Sequence, residues 1–354
     1  MIRRATINLN GMTGKKREKA GELIDEYLSF MQKVINTLWN HNQAHGRFVD
    51  KKVYEGMSTT LTERYKQCAA KQALQIVKSQ RKKEKKTKPV IHNASLELDE
   101  RFVKVESGGN DFDLWAKLSI LGGRPIYLPS RKHYHFNKFF YSNWSKKKSC
   151  RLRSNKKGLF LDVFFEKEKP PVKNEGDVVG LDCGYRKLAV LSDTQLVGRD
   201  MKDRVDHFYR RSKSHLIVGD FINHELNKID FSNIKTLVVE DLKNVKKNKK
   251  GRFSRHVNRL LSNWAYRQVL DKLEMLCEEN RVQLARIDPR YTSQVCNNCK
   301  VRDKANRKNE RYECRHCGWK VDADYNAALN IRDFWLAQGQ YGALSENHFT
   351  IPSG

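Results

Sequence analysis

Two Cys-x-x-Cys pairs, Cys296/Cys299 and Cys314/Cys317, stand within 22 residues, and Asp322-Ala-Asp324-Tyr-Asn-Ala-Ala-Leu-Asn-Ile331 follows almost at once. Four thiols at this spacing suit one tetrahedral zinc, held about 2.3 Å from each sulfur, with each short arch placing two ligands. Four cysteines saturate the ion. The centre is therefore expected to be structural, with no position left for water, and His316 inside the second arch is expected to face solvent or nucleic acid. Gly318 suits the tight turn after that arch. An acid at the mouth of a helix beside such a knuckle suggests a functional site rather than packing.

At 354 residues the chain is long enough for two or more domains. Lys and Arg number 69 against 41 Asp and Glu, a formal charge of +28, which calls for a polyanionic partner. Nucleic acid is the first candidate, because neutralising phosphates releases counterions and drives binding. No apolar run approaches the roughly 18 residues needed to span a bilayer. The opening Met1-Ile-Arg-Arg-Ala-Thr-Ile-Asn has no apolar core of a secretion signal. A reducing compartment is expected, where paired Cys-x-x-Cys motifs favour metal over disulfide. Cys68, Cys150, Cys183 and Cys277 are scattered and read as ordinary thiols.

Ile2 to Leu9 alternates as a strand. From Glu18 to Gln80 apolar residues fall at helical spacing, Leu23, Tyr27, Phe30, Met31 and Val34 among them, which predicts a small helical bundle ended by the charged run Arg81–Lys88 and Pro89. Residues 89–169 carry short β-rich runs at 94–98, 102–105, 114–121, 125–128 and 158–165. They predict a β-barrel or sheet that the first strand joins, with the bundle inserted. Pro170-Pro171 through Gly176 marks a boundary. Beyond it, Val178–Asp182 reads as a buried strand, Lys187–Ser192 and Gln195–Gly198 as two more, and 205–226 as mostly helix. Ile234–Glu240 is a strand, 243–255 a basic loop, 260–280 an amphipathic helix and Gln283–Ile287 a strand. The knuckle follows, then a helix from Tyr325 to about Gln338. The order β-β-β-α-β-α-β-α is that of an RNase H-like domain.

Three acids sit where that order needs them: Asp182 at the end of the first strand, Glu240 at the end of the strand after the first helix, and Asp324 at the start of the last helix. A carboxylate on a central strand is costly unless it meets a cation. Three converging carboxylates can hold two hard cations such as Mg²⁺, with Asp182 bridging and Glu240 and Asp324 each completing one side. Asp241 points opposite to Glu240 on a strand, so only one of them can face the site, and Glu240 is preferred. Asp322 is the alternative to Asp324. The basic runs are less specific. Lys147, Arg151 and Arg153, and Lys246, Lys247, Lys249, Lys250 and Arg252, are candidates for lining a nucleic-acid channel, against the plain reading of solvated charge. Arg131–Tyr141 interleaves cations and aromatic rings that could stack on bases.

Taken in order, Gly180-Leu-Asp182-Cys-Gly184, Leu237-Val-Val-Glu240-Asp-Leu, Asp288-Pro-Arg-Tyr-Thr-Ser293-Gln-Val-Cys296-Asn-Asn-Cys299 and Asp324–Ile331 resemble the RuvC nuclease of TnpB proteins, transposon-encoded RNA-guided nucleases related to compact type V CRISPR effectors. The resemblance covers about the last half. It implies a multidomain α+β protein: a wedge-type β-barrel at 1–15 and 89–175, a helical recognition domain at 16–88, a RuvC-like α/β nuclease at 176–292 and 321–354, and a zinc ribbon at 293–320. It implies Asp182, Glu240 and Asp324 as catalytic Mg²⁺ ligands, a bound guide RNA, and double-stranded target DNA chosen by base pairing, in the cytoplasm of a prokaryote or its phage, near the nucleoid. In such effectors the protein grips backbone and shape while the guide supplies sequence.

The segment between the second strand and Glu240 is short for that family, the first half matches in character rather than by motif, and no His-Asn-His module is visible, so one site would cut both strands in turn. A non-cutting RNA-guided repressor is the first alternative, and retention of all three acids argues against it. A guide-free nuclease or transposase of the same fold is the second. Transposases commonly order their acids Asp, Asp, Glu, whereas this chain has Asp, Glu, Asp.

Overall fold

The computed structural model describes residues 1–41, 44, 46–84, 86–109, 111–184, 186–208, 214–242 and 263–341. The chain divides into two units, Met1–Glu168 and Lys169–Gly354.

The first unit opens with β1 (Ile2–Asn8), followed by α1 (Gly14–Asn40) and α2 (Glu63–Arg81). Then come β2 (Ala94–Asp99), β3 (Val103–Ser107), β4 (Leu114–Leu118), β5 (Ile126–Ser130), α3 (Tyr134–Phe140), β6 (Ser145–Asn155) and β7 (Gly158–Glu166). As expected, the first strand joins the later ones and the helices lie between them in sequence. The strands form two antiparallel sheets rather than one, β1-β7-β6-β2 and β3-β4-β5, where the strand-rich segment suggested a β-barrel or a sheet. The reason lies at the edges of the larger sheet. Outward carbonyls of β1 are taken by side chains: Ser130 Oγ donates to Asn8 O (2.8 Å), His133 Nε2 to Thr6 O (2.8 Å) and His135 Nε2 to Arg4 O (3.1 Å). At the other edge Gln72 Nε2 donates to Ser95 O (2.8 Å), and its Oε1 accepts from Glu97 N (3.1 Å). Phe136 and Phe139 anchor α3 on Phe165, each with ring centroids 5.7 Å away.

Lys147, Arg151 and Arg153 lie on β6. Each is paired with a carboxylate of the same sheet: Lys147 with Glu166, Arg151 with Glu97 (2.6 Å) and Arg153 with Asp162 (2.7 Å). Asp162 is fully buried yet ionised, because Arg153 and Thr6 hydrogen-bond it and hold its carboxyl below the ordinary range against the cost of burial.

The second unit contains β8 (Asp177–Asp182), β9 (Ala189–Leu191), β10 (Leu196–Val197), α4 (Met201–Phe208), α5 (Ser214–Leu226), β11 (Ile234–Glu240), α6 (Asn263–Glu279), β12 (Gln283–Ile287), β13 (Arg307–Lys308), β14 (Arg311–Glu313), β15 (Lys320–Asp322) and α7 (Ala323–Tyr341). Its main sheet runs β10-β9-β8-β11-β12, with β8, β11 and β12 parallel. The runs Val179–Leu181 and Leu237–Val239 are buried, as a parallel sheet covered on both faces requires. The helix expected over 205–226 is observed over Met201–Phe208 and Ser214–Leu226, on either side of residues outside the described set, and those over 260–280 and 325–338 are observed as α6 and α7. Lys246, Lys247, Lys249, Lys250 and Arg252, with the rest of the basic loop, lie outside the described residues.

Gly180 decides how close α7 comes to β8. A β-carbon there would sit 2.1 Å from Ala328 O and 2.6 Å from Arg332 N, both backbone atoms of that helix. Gly180→Ala is therefore expected to push α7 off the sheet and destabilise the unit by about 1–3 kcal/mol. Chemical denaturation compares it with Gly21→Ala, a helix position where a β-carbon meets nothing within 4 Å.

Candidate functional site

β8 and β11 are adjacent and parallel, and Leu181 pairs with Val239. The next residue on each strand is Asp182 and Glu240, so the two carboxylates emerge side by side at the carboxyl ends, where open α/β sheets place ligands. α7 begins at Ala323 and packs on β8, which brings Asp324 in its first turn to the same end. All three line one cavity of about 830 Å³, together with Arg186, Arg290, Tyr291, Thr292 and Arg307. Asp241 and Asp322 do not line it. Asp322 instead caps α7, accepting from Asp324 N (3.0 Å) and Tyr325 N (3.2 Å), and pairs with Lys187.

The electrostatics follow from this crowding. Burial, then the charges of Glu240 and Asp324, push the Asp182 carboxyl up to about 8. Burial also raises Glu240, opposed by a hydrogen bond from Thr292 Oγ1 to Glu240 Oε1 (2.5 Å) and by Arg307. Arg307 Nη2 donates to Asp324 Oδ1 (2.8 Å), and Lys187 Nζ lies 3.5 Å from Asp324 Oδ2. Arg307, Thr292 and Lys187 were not legible from sequence. They are single residues of common type, and only the fold brings them to the acids. A raised carboxyl means that the folded chain holds its proton more tightly than the unfolded chain. That contribution to stability is full below the ordinary carboxyl range and is lost as pH rises through about 8. In EDTA the melting temperature is therefore expected to fall by several degrees from pH 5 to 8.5, with a flatter slope in Asp182→Asn.

The four cysteines form the second constellation. Their sulfurs all lie within 4.8 Å of one another, with Cys296–Cys317 at 3.7 Å and Cys299–Cys314 at 3.6 Å. A tetrahedron with sulfurs about 2.3 Å from its centre has edges of about 3.8 Å, so the quartet fits zinc. A disulfide would need about 2.05 Å. The two arches repeat one design. Lys300 N donates to Cys296 O (2.8 Å) as Gly318 N does to Cys314 O (2.9 Å), and both turn residues have positive φ, +63° and +74°. Gly318 has the role expected of it. Lys300 does the same in a conformation that disfavours side chains, and its ammonium pairs with Asp333 (2.9 Å). Cys183 is a partly buried thiol beside Asp182, its pKa pushed well up by desolvation. His316 is exposed.

Two amides join the constellations. Asn326 and Asn330, one turn apart on α7 and fully buried, donate to Val295 O (3.0 and 2.7 Å), and Asn330 also donates to Thr292 O (2.8 Å). Asn326 Oδ1 accepts from Asn297 N (3.0 Å). The loop that carries Thr292 and leads into the first arch is thereby clasped to the helix that carries Asp324. Buried asparagines four apart in an apolar helix are a signal the sequence did carry.

Residues 266–331, from α6 into α7, match the family model of the Cas12f1-like TNB domain. The chain is 39% identical over 98 residues to the CRISPR-associated endodeoxyribonuclease Cas12f1 of Sulfoacidibacillus thermotolerans, covering 27% of this chain and 21% of that protein. It is 31% identical over 104 residues to the TnpB-like protein aq_aa05 of Aquifex aeolicus (strain VF5), covering 28% and 33%. Over these segments the chain is similar to Cas12f1 and TnpB-like proteins. The aligned segments thus span a third or less of these two relatives. A solved structure, the cryo-EM Cas12f1-sgRNA-target DNA complex, superposes with a TM-score of 0.56 at 13% identity, over 90% of this chain and 83% of that one. Likeness at that identity shows the fold, a mixed α/β architecture of the Cas12f1 type. Among the described residues no helix is long and apolar enough to cross a membrane.

Proposed function

We propose that the chain is an RNA-guided DNA endonuclease that hydrolyses phosphodiester bonds in a RuvC-type site. The carrying observation is the convergence of Asp182, Glu240 and Asp324, from three separate segments, on one cavity. A buried carboxylate whose proton affinity is raised by burial and by two neighbouring carboxylates belongs to a donor set suited to hard divalent cations. Two Mg²⁺ ions bound there would supply Lewis acidity and an acidified water. The chain's own residues do the rest. Asp182, Glu240 and Asp324 would hold those ions. Thr292 fixes the rotamer of Glu240, and Arg307 fixes that of Asp324. Arg307 also places a positive charge in the cavity, where a phosphate would meet it.

In this reading residues 293–320 are a zinc ribbon inserted in the nuclease domain of 176–292 and 321–354. Residues 1–15 and 89–175 are the wedge module, and 16–88 the helical recognition domain. The partners are a guide RNA and double-stranded DNA, which suits a formal charge of +28. The test is to sequence RNA that co-purifies with the protein and to offer DNA matching its end, in Mg²⁺. A discrete RNA and cleavage of the matching DNA are expected. Protein that carries no RNA and cuts without a match would point to the guide-free alternative.

A further inference from the structure

Tyr291 lines the acidic cavity in a conformation that an aromatic residue rarely adopts, with φ +69°. The left-handed region costs a residue with a β-carbon about 1–2 kcal/mol. The backbone explains the turn. Asp288 Oδ1 accepts from Arg290 N (2.9 Å), and Tyr291 O accepts from Gln294 N (2.9 Å) and Val295 N (3.1 Å). Reversing the chain here swings Thr292 inward to Glu240. None of this requires a ring. Glycine would make the same turn without strain, so the ring needs a reason of its own.

That reason lies beside it. The Arg302 guanidinium carbon sits 3.6 Å from the Tyr291 ring centroid, and its Nε donates to Gln294 Oε1 (3.4 Å). Arg302 is exposed and, among the described residues, pairs with no carboxylate. A ring backed by an unneutralised guanidinium, at a cavity lined by three carboxylates, offers a stacking surface for a base and a charge for the phosphate next to it. Base–aromatic stacking is worth about 1–3 kcal/mol per base and accepts any base, and a guanidinium adds its own stacking face.

We propose that Tyr291 and Arg302 are positioning residues that grip the nucleotide next to the scissile phosphate and so set where along the strand the cut falls. This rests on the nuclease reading above. The test uses full-length protein with its co-purified RNA and the variants Tyr291→Phe, Tyr291→Gly and Arg302→Ala. Cut positions are mapped at single-nucleotide resolution with KM and kcat. In a separate arm without Mg²⁺, quenching of a 2-aminopurine-labelled single strand reports stacking. Melting temperature and zinc content are read for each protein. Tyr291→Gly is expected to keep its zinc and its melting temperature, raise KM about 10-fold, scatter the cuts over neighbouring positions and lose the quenching. Tyr291→Phe keeps the cut positions and the quenching. Arg302→Ala weakens strand binding and flattens its dependence on salt. Tyr291→Gly that cuts at the same positions with the same KM, or that quenches as the parent does, overturns the proposal. Parent protein that quenches yet cuts nothing counts against the nuclease reading and leaves the grip standing.

Discussion

Asp182→Ala loses Mg²⁺-dependent DNA cleavage by about 10³-fold or more, on the scale of removing a preorganised electrostatic group, while bound RNA is retained. Asp182 has the most perturbed environment of the three acids: burial and two neighbouring carboxylates push its proton affinity up. Such an arrangement is strained without a cation, so the metal-free variant is also expected to melt higher than the metal-free parent. Gaining stability while losing activity is the signature of a site held at a cost to the fold. Strand cleavage and thermal unfolding in EDTA check both halves. Undiminished cutting would sink the site assignment. Asp322→Ala serves as the contrast. It removes the α7 cap and the Lys187 pair, so it costs about 1 kcal/mol of stability and leaves most of the cutting in place.

Cys314→Ser is expected to lose the single zinc per chain and collapse the small β13-β14-β15 sheet. Apparent binding free energies of structural zinc are about 10–16 kcal/mol, and few buried apolar side chains back this quartet up, chiefly Tyr312 and Ala323. Cleavage should fall as well, because Arg307 is carried by that sheet and Thr292 by the loop clasped beneath the first arch. Elemental analysis, melting curves and the strand assay test this together, with Cys68→Ser as the control that changes none of them. Parent protein containing no zinc would refute the assignment. Zinc loss with full cleavage would show that the ribbon does not position the site.

What could be read from sequence was what local pattern encodes. Val178–Leu181 is apolar and then meets Asp182, which marks a buried strand ending in a charge. The spacing of the four cysteines specifies its own geometry. The apolar residues of α1 recur at helical period and are buried accordingly. β6 was missed because Lys146-Lys-Lys148 looked like solvated charge, although Cys150 and Leu152 alternate inward against Arg151 and Arg153. α3 was missed because seven residues mixing aromatics with a histidine, an asparagine and a lysine carry no clear period. Arg307 and Thr292 could not be found by pattern at all. Their roles depend on which residues the sheet and helix bring within 3 Å, and sequence separation hides that.

The larger sheet of the first unit closes its two borders with side chains, Ser130, His133 and His135 on β1 and Gln72 on β2. An extended segment of a newly made neighbour would find those main-chain groups already engaged. A cationic protein crowded onto a long polyanion meets its own copies at high local concentration, the condition under which open strand borders seed fibrils. Sealing them guards this sheet against pairing edge to edge with a second copy of the chain.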